Sequence, residues 1–420
     1  MLQKLLRLLV QLGWPMRFLD PVFGGWNPFH PARRRDPYPS LREQRERAPV
    51  HYSRALRLWI LTRHADVQRV LRDPEFSVER RTQLQPFAWM MRGLHPDFVG
   101  MVRTNLLMLD PPDHTRIRGL VSKAFTARAV ERLRPRIEAL VDELLDRAAQ
   151  LREIDWIGDF AGPLPVRVIA ELLGVPLGDR ASFVRWSHDL TALLDPFSGD
   201  IRQAERSYLA LADYFREIFA SRRREPRDDL ISALLASEEQ GSRLSEAEIL
   251  SVCSLILTAG HETTTHLLGN AVAALLRHPD ERKRFCDDPG LARSAVEEFL
   301  RFDSPVQFSD RVSTQPVEIA GRRIEAGQLV ICHIASANRD PAVFADPERL
   351  DLGRRDNSHL AFSYGQHFCL GAQLARAEAQ IALSRFVQRF PRFDGDPERG
   401  QRHPSVTLRG FQSLPLDLAS

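Results

Sequence analysis

The stretch that most limits the fold runs from Ser245 to Pro279. Ser245 stands three residues before Glu248, the spacing of a reciprocal N-terminal cap, and an apolar run follows. Nothing breaks the pattern before Pro279, so the spacing predicts one helix of about 50 Å at 1.5 Å per residue. An element that long and apolar has to pass through the core. Its centre is unsuited to a plain core helix, reading Ala259-Gly260-His261-Glu262-Thr263-Thr264-Thr265-His266. Glycine costs a helix roughly 1 kcal/mol relative to alanine, and threonine loses rotamer freedom there. A buried carboxylate is costlier still unless paired. Helix stability does not explain these residues. Small side chains at 259 and 260 let a flat body approach the backbone, and a threonine hydroxyl bonding to the preceding turn can open or bend the helix. The plainer alternative is a solvent-facing polar patch on a long helix.

The same letters, HETTTH, invite a zinc-protease reading, in which two histidines one turn apart hold the metal. Here His261 and His266 are five apart and point about 140° from each other, at about 100° per residue. That pairing fails on geometry.

Composition narrows the class. The 420 residues are 43% hydrophobic, enough for a large core. Lys+Arg 58 against Asp+Glu 55 gives a net charge of +3, too small an excess for a nucleic-acid binder. Arginine triplets at 33–35 and 222–224 read as solvated linkers. Cys253, Cys286, Cys332 and Cys369 lie far apart without a CxxC or a signal peptide, so a reducing, cytoplasmic setting is expected. At the N-terminus Leu2, Leu5, Leu6 and Leu9 share one helical face, but Lys4, Arg7 and Gln11 interrupt the run. It is shorter than the roughly 20 apolar residues that cross a bilayer, so no transmembrane anchor is expected.

Apolar residues recur at three and four over 64–73, 129–151, 165–175 and 203–223, predicting helices. Strand-like pieces are short: 50–54, 56–62, 315–320 and 328–336. Residues 81–104 and 192–202 carry no clear pattern and are expected to be long functional loops. The expectation is a mainly α chain with a small β portion: an N-terminal extension over 1–35 and one large helix-rich domain over 36–420.

The second informative stretch is Phe-Ser-Tyr-Gly-Gln-His-Phe-Cys-Leu-Gly at 362–371. Gly365 and Gly371 allow sharp turns, and residues 371–387 read as a helix. Cys369 therefore sits just ahead of a helix N-terminus, whose exposed N–H groups favour a thiolate. A thiolate is a nucleophile, for which His367 could serve as base, or a metal ligand. The pattern Phe362-x-x-Gly365-x-His367-x-Cys369-x-Gly371 resembles the haem-binding loop of the cytochrome P450 superfamily in its bacterial form. Further segments resemble the same family in order: 110–125, 259–264, Glu298-x-x-Arg301 and 337–354. A lone Glu-x-x-Arg carries little weight, since Glu131/Arg134 and Glu281/Arg284 repeat it as ordinary helix pairs. Ser363 departs from the family, which usually has glycine there.

The resemblance implies a cytochrome P450 fold with haem b (iron protoporphyrin IX). Cys369 would ligate the iron, Phe362 would pack near its sulfur, and Gly365 and Gly371 would shape the loop. His114, Arg118, Arg311 and His367 would meet the two propionates, and Ala259 and Gly260 would lie against the cofactor. Glu262 and Thr263 would be the acid–alcohol pair that delivers protons during oxygen activation. Glu298 and Arg301, with Arg349, would form a buried ion-pair network supporting the loop. The implied reaction is O2-dependent monooxygenation of a hydrophobic small molecule (terpenoid, steroid, fatty acid or polyketide). Gln307 and Arg409 are candidate polar anchors in a largely apolar pocket, fed by segments 85–94 and 190–197 among others. With no flavin or iron–sulfur motif in the chain, electrons would come from an external ferredoxin or flavodoxin with its reductase. Arg116, Lys123, Arg128 and Arg376 are candidates for that docking face, or ordinary solvated charges. Two alternatives stay open: a peroxide-driven peroxygenase, a type that generally lacks the acid–alcohol pair, and a haem- or ligand-binding protein without turnover.

Overall fold

A computed structural model describes residues 27–80, 91–123, 125–194, 200–239 and 242–418. The leucine-rich N-terminal segment, residues 85–90 of the first substrate-facing loop and 195–199 of the second lie outside the described residues.

The predicted long helix spans Glu246–Arg277 without a break. Its cap forms in both directions: the Ser245 hydroxyl accepts from the Glu248 N–H, and the Glu248 carboxylate accepts from the Ser245 N–H. From Ile249 to Leu275 it is buried at nearly every position, so its neighbours are protein on all sides. One of them is the helix Pro163–Leu173, started by Pro163 at its first turn and stopped by Gly174 in a left-handed conformation. The other predicted helices also form, as His64–Arg72, Ala127–Ala148, Ile201–Arg224 and Ala372–Arg389.

The β portion is small. Its largest sheet joins β1 (Val50–Ser53), β2 (Leu58–Leu61), β3 (Phe76–Ser77), β4 (Ser309–Ser313) and β5 (Leu329–Cys332), in the order β1-β2-β5-β4-β3. Strands β2 and β5 run parallel with Leu58 opposite Leu329; the remaining pairs are antiparallel, and Val330 faces Arg311. Val330 and Ile331, on opposite faces of β5, are both buried, as a central strand covered on both faces requires.

One loop expectation fails. Within 81–104 the segment Pro96–Arg103 is a helix, capped by His95 Nδ1 accepting from the Asp97 N–H and buried through Phe98, Met101 and Val102. No helix among the described residues is long and apolar enough to cross a membrane.

Candidate functional site

The cysteine loop is built by local hydrogen bonds. The Cys369 N–H donates to the Phe362 carbonyl at 2.9 Å and the Phe368 N–H to that of Gly365 at 3.1 Å. Gly365 has φ +73°, and a Cβ there would stand 2.9 Å from Arg72 Cα, so only glycine fits. Ser363, where the sequence departs from the family pattern, takes φ +64°. The loop accommodates it in the left-handed region.

Cys369 is open to solvent-sized space, yet enough protein surrounds it that desolvation pushes its thiol pKa up. Both hold for a side chain lining an interior cavity. The Gly371 N–H, Arg118 and Arg376 pull the pKa back down without winning. The helix terminus alone therefore does not secure the thiolate that its position promised. Burial outweighs it, and a metal cation bound to the sulfur is what would tip the balance.

Beside the loop stand the four expected propionate partners. The His114 and His367 rings are 4.2 Å apart, and Arg118 donates to the Phe368 carbonyl at 2.5 Å. Arg311 projects from β4 and donates to the Ser309 hydroxyl at 3.0 Å. Burial lowers the His114 pKa and, with Arg311, His114 and Arg118, takes that of His367 down to about 3. Asp110 acts the other way on His114, but its carboxylate already accepts from the Ser77 hydroxyl and the Val78 N–H. His114 Nε2 is buried with no hydrogen-bond partner among the described residues. The cluster is thus basic and incompletely satisfied, which suits a ligand carrying two carboxylates.

On the central helix, the positions left partly open between Ile249 and Leu275 are Leu255, Ala259, Gly260 and Thr263. Leu255, Ala259 and Thr263 are spaced by four and form one stripe on an otherwise buried element. What they face is inside the protein. Gly260 has a further reason to be glycine: a Cβ there would lie 2.8 Å from Ile169 Cδ1 of the neighbouring helix. Thr263 Oγ1 donates to the Ala259 carbonyl at 2.9 Å and Thr264 Oγ1 to that of Gly260 at 3.3 Å, but the helix stays continuous. The expected opening is not present.

Glu262 lies about 100° around the helix from Thr263. Its carboxylate is within 3.4 Å of His188 Nδ1, 3.8 Å of His261 Nε2 and 3.5 Å of His266 Nε2. Burial works to raise its pKa, yet His188, His261, His266 and His403 hold it well below the carboxylate range. The same contact raises the pKa of His188, whose side chain is 57% exposed, so a shared proton rides on the imidazole. His188, which no sequence pattern singles out, links Glu262 to solvent.

Glu298 and Arg301 are both fully buried, joined by bonds of 2.8 and 2.7 Å. Arg301 also donates to the carbonyls of Asn338, Pro347 and Arg349. The third charged member is not Arg349. Its side chain is exposed and only its carbonyl takes part, whereas Arg354 Nε reaches Glu298 at 3.1 Å. The network touches the cysteine loop through Asn338, whose side-chain oxygen accepts from the Leu360 N–H at 2.7 Å. The Leu360 carbonyl in turn holds the Ser363 N–H.

Other candidates are committed elsewhere. Arg409 bonds Asp303 at 2.6 Å and the carbonyls of Arg34 and Arg35, so it is an internal ion pair rather than a substrate anchor. Gln307 donates to the Ser304 carbonyl at 2.7 Å. Arg116 is paired with Glu248 and Arg376 with Glu297, which removes both from a free docking face.

Arg376 also lies 4.5 Å above the Phe362 ring, so its pairing with Glu297 steadies the loop. Burial opposes ionisation of Glu297, but Arg376 and His359 hold its pKa at about 2. A carboxyl so depressed contributes stability above its ordinary range, and that contribution is lost as pH falls toward 2. With Glu297 24% exposed the effect is about 1–2 kcal/mol. Denaturant titrations of wild type and Glu297→Gln should differ most at pH 7, with the difference shrinking below the ordinary carboxylate range and vanishing toward pH 2. A constant difference would refute the assignment.

Comparison with known proteins accords with this geometry. A family model described as Cytochrome P450 matches residues 59–287 and 290–412. Cytochrome P450 107B1 of Saccharopolyspora erythraea is 42% identical, with 91% of this chain and 94% of that protein covered. Vitamin D(3) 25-hydroxylase of Pseudonocardia autotrophica is 40% identical, with 91% and 94% covered. Among solved structures, P450BioI in complex with hexadec-9Z-enoic acid ligated acyl carrier protein superposes with a TM-score of 0.85 at 34% identity, covering 92% of this chain and 98% of that one.

Proposed function

The chain belongs to the cytochrome P450 family, and from that premise we propose that it inserts one oxygen atom of O2 into a hydrophobic small molecule, with electrons from an external ferredoxin or flavodoxin and its reductase. It is an oxidoreductase, a cytochrome P450 monooxygenase, and its cofactor is haem b. The residues present suit that group: a cysteine open to an interior space, a basic cluster beside it, and a partly open helix stripe of Leu255, Ala259 and Thr263.

In this reading Cys369 holds the iron and His114, Arg118, Arg311 and His367 bind the propionates. Haem supplies the oxidative chemistry when bound. The chain's own task is to exclude water, orient the substrate and move protons. The observation that carries the proposal is Thr263 on the open stripe, one residue from a carboxylate wired to solvent. A proton entering at His188 passes to the Glu262 carboxylate, and from there to the Thr263 hydroxyl. Thr263 must release the Ala259 carbonyl in order to donate inward. The named relatives act on vitamin D(3) or take a fatty acyl chain, which supports a lipophilic substrate here, of terpenoid, steroid, fatty-acid or polyketide type.

Thr263→Ala is expected to lower product formed per NAD(P)H consumed by on the order of 100-fold, the low end of what a positioned proton donor contributes. Unchanged coupling would remove Thr263 from the route. A ferredoxin system should also give more product than peroxide alone; the reverse result would favour the peroxygenase reading.

A further inference from the structure

We propose that Glu262, His266 and His403 form a binding site for a divalent transition-metal ion of the zinc class. The three offer donor atoms that all lie within 4.8 Å of one another. They line a cavity of about 540 Å³ together with His188, His261 and Arg167. HETTTH thus has a metal pair after all, but a different one: Glu262 and His266 are four apart, on one face of the central helix.

His266 gives the independent observation. It is 1% exposed, and neither ring nitrogen has a hydrogen-bond partner among the described residues. A buried imidazole so placed is a vacant pair of donors and acceptors. Its ring is also held from behind, since a Cβ on Gly410 would fall on Nδ1. Nε2 then stands 3.5 Å from Glu262 Oε2. A tetrahedral ion with bonds of about 2.0–2.1 Å separates its ligands by roughly 3.3–3.4 Å. The pair already has that spacing.

The third ligand comes from the C-terminal segment, with the His403 ring centroid 5.1 Å from that of His266. Its Nδ1 accepts a long 3.3 Å bond from the Ser405 N–H, which a metal on Nε2 would displace as the ring proton moves to Nδ1. His261 stays outside the set: its Nε2 lies 3.8 Å from Glu262 Oε1, not the oxygen nearest His266, and the mutually close donors are those of Glu262, His266 and His403. Two imidazoles and one carboxylate select zinc, nickel or copper over magnesium and calcium, which want oxygen ligands. The fourth position opens on the cavity. Resting on the reading of Glu262 as proton carrier, a bound ion there inhibits turnover.

Calorimetric titration of zinc chloride into the untagged holoenzyme tests the site. Wild type should show one site that weakens by on the order of 100-fold in both His266→Gln and His403→Gln, at least the loss seen for outer-shell partners. Zinc K-edge absorption on wild type, which needs no variant, should show nitrogen and oxygen ligands only. Equal affinity in both variants, or a sulfur shell, would overturn the proposal. Binding is read without turnover, so its failure leaves the proton route standing; binding without inhibition would instead count against the route.

Discussion

Replacing Cys369 by serine is expected to abolish the strongly red-shifted Soret band of the reduced, CO-bound holoenzyme and to take substrate turnover to background. A thiol ordinarily ionises near pH 8.5, whereas a serine hydroxyl has no accessible anion at neutral pH. In this site burial already pushes the thiol up, so the margin for an anionic ligand is narrow even for sulfur. For oxygen it vanishes. The loop itself should survive, because its bonds are made by backbone: Cys369 N–H to Phe362, Phe368 N–H to Gly365, Ser363 N–H to Leu360. The variant should therefore fold with near wild-type stability while losing the thiolate spectrum. Retention of that band would show that the iron is held by another residue.

That separation of scaffold from chemistry also explains what the sequence disclosed. The central helix could be read because capping box, apolar run and terminal Pro279 are all local signals, and they form as written. The cysteine loop was readable for the same reason. Strand β4 was not, since Ser-Asp-Arg-Val-Ser has no apolar alternation; it is recruited by pairing with the buried β5 and carries Arg311 toward the basic cluster. The helix Pro96–Arg103 was hidden by its length, with too few turns for periodicity to emerge. Tertiary partners account for the remaining differences. Gly260, read as room for a flat ligand, answers also to a constraint outside its own helix, since a Cβ there would meet Ile169 of Pro163–Leu173. Arg409 looked like a pocket anchor until Asp303 came within 2.6 Å. The two carbonyls it also bonds belong to Arg34 and Arg35, at the other end of the chain.

The choice between Arg349 and Arg354 is a case of the same kind, and it yields the largest expected effect on stability. Both arginines follow Asp346, which takes φ +46°, and only the Arg354 side chain reaches Glu298. Arg354 arrives at Glu298 with its side chain 10% exposed, while Arg349 lends only a carbonyl. Glu298 accepts from Arg301, Arg354, the Asp351 N–H and Asn357, so the buried carboxylate is fully engaged. Removing Arg301 takes two hydrogen bonds from that carboxylate, leaving Arg354 as its charged partner, and one from each of three carbonyls. Arg301→Leu and Glu298→Leu should each cost about 3–5 kcal/mol, measured by denaturant unfolding, and should release haem during purification. The double variant should cost much less than the sum, because neither partner is then left alone. Arg301→Lys should rescue little, since one ammonium cannot span five acceptors held in a plane. Arg354→Ala should cost about 1–3 kcal/mol for the bond it leaves open, and Arg349→Ala no more than about 0.5 kcal/mol. The opposite ranking of the last two would mean that the Arg349 side chain, not that of Arg354, completes the network beneath the cysteine loop.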